Sequence, residues 1–77
     1  MKVRIISLNG LLWQGEAKKV ILPTKMGQIS VLDNHFSLLS FLDKGKVIIE
    51  IADQEKKEFQ VEKGFLKVNK NEVDLLI

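Results

Sequence analysis

The chain has 77 residues, no cysteine and one histidine, and its twelve basic and ten acidic residues leave a formal net charge of +2. A chain of this length forms one domain, residues 1–77, with a thin core, because a small domain buries only about 60% of the surface of its unfolded chain. The composition excludes a disulfide framework, a thiolate metal site and a bilayer-spanning run of ~18 apolar residues, so membrane association is expected only through a partner.

Alternating apolar and polar residues, separated by turn residues, predict short β-strands along the whole chain. The first strand, residues 2–7, places Val3 and Ile5 on one face, and Asn9-Gly10 is a strong turn signal. A return strand at 11–14 is expected to end at Gly15, in a bulge or bend. Further strands are predicted at 17–22, 28–32, 36–42, 46–51, 58–62, 65–68 and 72–77. This pattern indicates an all-β sandwich or barrel.

The stretch 27–39 reads as a strand, a sharp polar corner and a second strand. Asp33 and Asn34 favour a turn because their side chains hydrogen-bond to nearby backbone groups. Gly27 is expected to need a positive φ in its own turn. His35 allows two readings: a corner histidine bonded to a nearby carbonyl, or an interface contact on a binding loop. We predict that 27–35 forms one working end.

No set of residues predicts catalysis or metal binding. A catalytic triad, a paired-carboxylate site and a metal site each need convergent groups, and no spacing of this kind occurs. No cofactor is expected either. Trp13 is interpreted as a core or core-edge aromatic. Three apolar residues fall outside the core parity of their strands and predict an exposed apolar face: Ile6, Ile48 and Leu76.

Five short segments carry a further pattern in their order and spacing. They are GEAKKV at 15–20, PTKMGQISVL at 23–32, NHFSLL at 34–39, LDKG at 42–45 and GFLKV at 64–68. Together they resemble the N-terminal β-sandwich of the epsilon subunit of F-type ATP synthases, called delta in mitochondria. The resemblance covers the whole chain. It departs from the family at Gln28, where Glu is usual, at Asp33 and Ser37, where Pro is usual, and after Ile77, where the family continues into a two-helix hairpin.

The resemblance implies a ten-stranded sandwich without the C-terminal helical domain. It implies a non-catalytic central-stalk subunit that links the gamma subunit to the c-ring and couples ion-driven rotation to ATP synthesis. The implied location is the cytoplasmic face of the cell membrane, or the equivalent side of another energy-transducing membrane. Gln28 falls where the family touches the polar loops of the c-ring, and Ser7, His35 and Ser40 fall at or near the gamma contact.

The same resemblance places nucleotide sensing and self-inhibition in the helical hairpin. These 77 residues are therefore expected neither to bind ATP tightly nor to inhibit its hydrolysis. The alternative function is a small β-barrel module that binds RNA or DNA, which the pI near 9.0 favours. A single arginine, evenly mixed charges and four phenylalanines mostly at core parity oppose it, so no nucleic-acid partner is expected.

Overall fold

The computed structural model describes residues 1–33 and 35–77, and for residues 35 and 36 it describes the backbone alone. Nine strands occupy most of the described residues and confirm the all-β prediction. They are β1 (Lys2–Ser7), β2 (Gly10–Glu16), β3 (Lys19–Thr24), β4 (Gly27–Leu32), β5 (His35–Leu42), β6 (Gly45–Ala52), β7 (Glu55–Val61), β8 (Gly64–Lys70) and β9 (Glu72–Leu76). The expectation of ten strands is corrected to nine, because connections of one or two residues leave no room for another.

The strands form two layers that are joined at a corner. The nine described strands belong to one continuous sheet that passes from β5 to β3. We call its two layers the first sheet, in the order β2-β1-β9-β8-β5, and the second sheet, in the order β4-β3-β6-β7. A single strand-to-strand register pair, Thr24 with Leu42, connects the two sheets. Within the first sheet β1 runs parallel to β9, with Val3 opposite Val73 and Ile5 opposite Leu75. This pairing brings the two ends of the sequence together in the centre of the sheet.

The core lies between the two sheets and takes alternate residues from each strand, as the period of two requires. Val3, Ile5, Leu66 and Leu75 line it from the first sheet, and all four are at most 1% exposed. The second sheet contributes a further set, also at most 2% exposed: Val20, Leu22, Val31, Val47, Ile49 and Val61. Among the described residues, every buried side-chain nitrogen or oxygen has a hydrogen-bond partner.

The connections between strands gather at two opposite ends of the sandwich. The end that we call the Met26 end holds the turns at 8–9, 25–26, 43–44 and 62–63. The end that we call the Met1 end holds the first residue together with the connections that begin at 17, 33, 53 and 71. At the Met1 end, the amino group of Met1 donates hydrogen bonds to the Ala17 carbonyl at 2.9 Å and to the Asp33 carboxylate at 2.7 Å.

The prediction that Gly15 ends the second strand is wrong. β2 continues through Gly15 to Glu16, and the extra residue of the bulge is Leu12, since Ile5 pairs with Trp13 while Ile6 pairs with Leu11. The glycine instead leaves room for the Trp13 ring: a Cβ at Gly15 would lie 2.7 Å from its Cζ2 atom. Trp13 packs half-buried against the core, which confirms its predicted core-edge role.

Two hairpins at the Met26 end share one construction, S/T-x-x-G. In the β3–β4 hairpin, the Thr24 hydroxyl donates to the Gly27 carbonyl at 2.6 Å and accepts from the Met26 amide at 3.2 Å. The Ser7 hydroxyl makes the same two contacts, with Gly10 at 3.3 Å and Asn9 at 3.2 Å. Gly27 has φ +112°, which confirms its predicted positive φ. The hydroxyls close these turns by side-chain hydrogen bonds that are typical of such short polar residues.

Candidate protein–protein interface

A row of apolar side chains crosses the outer face of the first sheet. Residues that pair in register on neighbouring strands point to the same side of a sheet. Ile6 pairs with both Leu11 and Leu76, and Phe65 pairs with both Leu76 and Phe41. The five residues therefore lie side by side on five successive strands, over about 19 Å at the usual strand spacing. We call them the apolar row: Leu11, Ile6, Leu76, Phe65 and Phe41.

The apolar row is accessible to solvent. Phe41 is 64% exposed, Leu11 56% and Leu76 46%, and the other two members are half-buried. Exposed apolar side chains are ordinary when they are scattered singly, but a contiguous set on one face marks an interaction surface. The row is therefore a candidate docking surface for another protein.

The outer face of the second sheet has no comparable row among the described residues. Its most apolar line runs through Ile21 and Ile48, both half-buried, and has Ser30 at one side and Glu58 at the other. Because only the first sheet carries a contiguous apolar row among the described residues, its outer face is the one that a partner is expected to cover.

A mostly polar row borders the apolar row towards the Met1 end: it consists of Gln14, Arg4, Asp74 and Lys67, with exposed Leu39 at its β5 position. Arg4 and Asp74 are in register there, and the guanidinium donates to both carboxylate oxygens, from Nε and from Nη2, each at 2.9 Å. The hydrogen bonds from Arg4 to Asp74 raise the pKa of the arginine above its ordinary value. A bidentate pair of this kind fixes both side chains in one geometry. It gives the middle of the apolar row a polar and well-defined border.

A groove opens at the Phe41 end of the apolar row, beside the Met26 end. The rings of Phe41 and Phe65 pack edge to face there, with centroids 5.3 Å apart and planes at 72°. The groove has a volume of about 400 Å³. Its lining consists of the two rings with Leu42, Gly64, Leu76, Lys25 and Lys63.

An exposed ion pair lies beside this groove. Lys25 Nζ is 3.3 Å from a carboxylate oxygen of Asp43, which joins the β3–β4 turn to the β5–β6 turn. The backbone amide of Lys44, and then the Lys25 ammonium, lower the pKa of the Asp43 carboxyl below its ordinary value. Lys25 therefore has a carboxylate partner within the protein.

The structure separates the predicted working end into two places. Gln28 pairs with Pro23 next to the β3–β4 turn, at the Met26 end. His35 begins β5 at the Met1 end, in register with Lys70. Strand β4 lies between them and spans about 17 Å at 3.3–3.4 Å per residue. The prediction of one working end at 27–35 is therefore wrong, because its polar corner and its glycine turn close opposite ends of the same strand.

The other two predicted contact residues also lie apart. Ser7 lies at the Met26 end, where its hydroxyl closes the β1–β2 turn. Ser40 pairs in register with buried Leu66, so it is half-buried on the inner side of β5, next to outward-facing Phe41. The side chain of His35 and the whole of Asn34 lie outside the described residues, so both readings of the histidine stay predictions.

The alternation of residues within each strand predicted one part of the exposed apolar surface and missed the other. Ile6 and Leu76 were predicted to be exposed together, and the structure places them side by side in the apolar row. Ile48 belongs instead to the outer face of the second sheet. The phenylalanines were expected to lie mostly at core parity, but Phe41 and Phe65 lie outside the core, in the apolar row. The signal was present in β5, where Leu38, Ser40 and Leu42 form the inner set and leave Phe41 outside.

The described residues hold no group of three or more His, Asp or Glu side chains that could bind a metal ion. Nor does the described part of the chain contain a helix with the length and hydropathy that crossing a membrane requires.

Comparison with known proteins gives a consistent family. The chain matches, over residues 1–77, the family described as ATP synthase, Delta/Epsilon chain, beta-sandwich domain. It is 39% identical over 77 residues to the ATP synthase epsilon chain of Synechococcus elongatus. It is 37% identical over 76 residues to the chloroplastic epsilon chain of Mesostigma viride. These alignments cover 100% and 99% of this chain but 56% and 57% of the relatives.

Two solved structures share the fold. One is a chain in the mitochondrial ATP synthase of Euglena gracilis, with a TM-score of 0.88 at 21% identity, over 96% of this chain and 48% of that chain. The other is a chain in the central stalk and c-ring of the Tetrahymena thermophila enzyme, with a TM-score of 0.81 at 12% identity, over 99% and 61% of the two chains.

Proposed function

The chain belongs to the ATP synthase delta/epsilon β-sandwich family, and we propose that it acts as a non-catalytic subunit in the central stalk of a rotary ATP synthase. In this proposal it links the gamma subunit to the c-ring and couples ion-driven rotation to ATP synthesis. It is peripheral to an energy-transducing membrane, on the side where the catalytic head lies, and is held there by the complex.

The apolar row is the observation that carries the proposal. We assign the gamma subunit to this face because it is the one apolar outer face among the described residues. Stable protein interfaces bury about 800 Å² on each partner. A single row of five side chains is smaller than that, so the partner must also cover the polar border at Arg4 and Asp74. An apolar centre with a polar rim is the usual anatomy of such an interface.

The Met26 end is the proposed contact with the polar loops of the c-ring. Its hairpin tips are exposed: Leu8 is 103% and Met26 92% accessible, and Gln28 follows in the same hairpin. Gln28 is uncharged, so it offers the ring a neutral hydrogen bond, which is roughly half as strong as one to a carboxylate. Ser7, His35 and Ser40 remain proposed contacts of gamma. Ser7 lies on the hairpin that follows Ile6, and Ser40 precedes Phe41 in β5.

Mechanical coupling in this proposal requires a stiff body with two contact surfaces. The strands are hydrogen-bonded to one another in two sheets over a continuous core. The Cα atoms span 27 × 25 × 20 Å along the principal axes of the molecule. The close-packed interiors of proteins transmit strain with little compression. The apolar row lies two residues from the turns of the Met26 end on four of its five strands, so a torque on the row would pass directly to that end.

Copurification from the native host tests the proposal. Tagged protein is expected to bring down the gamma subunit and the c-subunit, and Leu76→Ser together with Phe41→Ser should release gamma. The matched control is Leu32→Ser, an apolar residue that is 53% exposed on β4 of the second sheet. Recovery of neither subunit with the unmodified protein would refute the proposed function.

A further inference from the structure

Strand β4 forms an open edge of the second sheet. Among the described strands it pairs only with β3, in an unbroken antiparallel register that sets Pro23 opposite Gln28. Pro23 has no N–H, and its carbonyl accepts from the Asp43 amide at 2.9 Å, on the side of β3 that faces away from β4. Pro23 and Gln28 are therefore a pair without hydrogen bonds between them.

The backbone of β4 consequently presents bonding groups to solvent. Bonded and non-bonded pairs alternate along an antiparallel ladder, so Ile29 and Val31 are the residues of β4 that bond to β3 in this stretch. Three residues point their N–H and carbonyl groups to the open edge instead, and all three are exposed: Gln28, Ser30 and Leu32. Such a row of unpaired backbone groups is a template for one further strand.

The other strands with an open edge among the described residues carry protection that β4 lacks. A bulge at Leu12 interrupts β2, a shift in register between His35 and Leu38 interrupts β5, and β7 begins with the charged run EKKE at 55–58. Bulges and charges are the usual means by which proteins prevent pairing at an edge. The six residues of β4 are uncharged and their register is continuous, so this edge remains free to pair.

Opposite charges flank the uncharged edge. Lys25 precedes β4 at the Met26 end and Asp33 follows it at the Met1 end, and each side chain is more than half exposed. Each has a partner within the protein, the Asp43 carboxylate or the Met1 amino group, and each remains accessible to a second charge. An antiparallel strand with a cation at its start and an anion at its end would complement both, and complementary charges fix register.

From this arrangement we infer that β4 binds an extended segment of another protein as an added antiparallel strand. The segment has a basic residue at its start, an acidic residue at its end and uncharged residues between them, with an apolar residue opposite Leu32. Main-chain hydrogen bonds supply the affinity of such a contact and the side chains its specificity. A second copy of β4 is less complementary, because an antiparallel pairing about Ser30 sets exposed Leu32 against Gln28. The contact is separate from the apolar row and does not rest on the proposed function.

Binding of a designed peptide tests this inference. The probe is acetyl-KVVTITE-amide, and its control, acetyl-EVVTITK-amide, exchanges the two charged ends. Ser30→Pro removes an N–H that points to the open edge and leaves the bonds to β3 in place, while Ser30→Ala keeps that N–H. We expect wild type and Ser30→Ala to bind the probe alike, and Ser30→Pro to bind it about tenfold or more weakly. The control peptide should bind the wild type more weakly than the probe at low salt, and this difference should shrink at high salt.

Amide hydrogen exchange of the wild type, resolved by residue with NMR, provides a readout that needs no variant. Exchange at Gln28, Ser30 and Leu32 should be fast in the free protein and about tenfold or more slower at saturation with the probe. Ile29 and Val31 should exchange slowly in both states.

Three results would overturn the inference: no binding of the probe at millimolar concentration, equal binding by wild type and Ser30→Pro, or unchanged exchange at the edge residues. Dimerisation of the wild type that Ser30→Pro abolishes would assign the edge to a second copy instead. Circular dichroism of each variant would confirm that it remains folded.

Discussion

Neighbouring residues on one strand carry opposite tasks, and β9 shows this most directly. Leu75 is 0% exposed and lies between Ile5 and Leu66, whereas Leu76 is 46% exposed in the apolar row. Leu75→Ala should lower the free energy of unfolding by about 2–5 kcal/mol, because it removes buried methyl groups and leaves a cavity. Leu76→Ala should cost about 0.5 kcal/mol or less, which is usual for a surface position, and should weaken gamma binding.

Denaturant unfolding of both variants, with gamma binding measured in parallel, checks this pair. Equal losses of stability at the two positions, with gamma binding intact in Leu76→Ala, would show that the side of the sheet has been assigned wrongly.

Two glycines of β2 are required for different physical reasons. A Cβ at Gly15 would press against the Trp13 ring, at 2.7 Å from Cζ2, while a Cβ at Gly10 would meet nothing within 4 Å. Gly10 instead has φ +119°, a backbone conformation that is strained for any residue with a side chain. Gly15→Ala should therefore displace the indole and change its emission maximum, at a cost of about 1–3 kcal/mol for overpacking. Gly10→Ala should cost about the same through backbone strain, with unchanged emission.

Tryptophan fluorescence separates the two causes, because Trp13 is the only tryptophan of the chain. A shifted emission spectrum in Gly10→Ala, or an unchanged one in Gly15→Ala, would contradict this account of why glycine stands at each position.

At the scale of elements, ion pairs join connections that are distant in sequence. Lys18, between β2 and β3, lies 2.8 Å from Asp53 in the β6–β7 turn. Its hydrogen bond holds the pKa of the Asp53 carboxyl below the ordinary value, so this pair stabilises the fold when the carboxylate is ionised. The contribution is present above the unfolded pKa of about 3.9 and is lost as the pH falls through the lower folded value.

Asp53→Asn should consequently flatten the fall in stability below about pH 4, and Lys18→Gln should do the same because it removes the other partner. Both effects should shrink at high salt, since the pair is exposed and screened. Unfolding free energies measured from pH 2 to pH 6 provide the test. If the free energy of unfolding of both variants fell with decreasing pH as steeply as that of the wild type, this ion pair would not contribute to stability.

Most elements could be predicted from the sequence, because each depends on local alternation and local turn residues. The nine segments that alternation marked correspond to the nine strands, and Asn9-Gly10 and Gly27 mark real turns. The role of Gly15 could not be predicted, because a glycine that makes room for the Trp13 ring looks the same in sequence as one that ends a strand. The apolar row was only partly foreseen, because parity within one strand does not tell which strands are neighbours. Ile6 and Leu76 are 70 positions apart in sequence and meet only through the β1–β9 pairing.

The working end was misplaced for a related reason. A hairpin strand has two ends, and residues that are close in sequence across it, such as Gln28 and His35, close opposite ends of the molecule. Residues that are close in sequence were expected to lie close in space. Gln28 and His35 are instead separated by the length of β4. The grouping that matters here comes from tertiary pairing, which single-sequence patterns do not encode.

At the scale of the whole molecule, the outer face of the first sheet exposes a contiguous set of apolar side chains, which is unusual for a small protein that stays monomeric. The apolar row would be covered in the proposed complex, but it faces water when the protein is alone. Two copies could cover their rows against each other, yet a row of five side chains provides far less than the ~800 Å² per partner of a stable interface. The isolated protein should therefore be monomeric at micromolar concentration and should associate weakly and reversibly as the concentration rises towards millimolar.

Sedimentation velocity over a concentration series tests this expectation. Phe41→Ser should keep the protein monomeric throughout, because it replaces the most exposed member of the row, while Leu32→Ser on the second sheet should associate like the wild type. Adding the gamma subunit should abolish the self-association of the wild type, since the same surface would then be occupied. Self-association that persists in Phe41→Ser, or that survives saturation with gamma, would place the self-association contact elsewhere on the molecule and would remove one reason for assigning the apolar row to gamma.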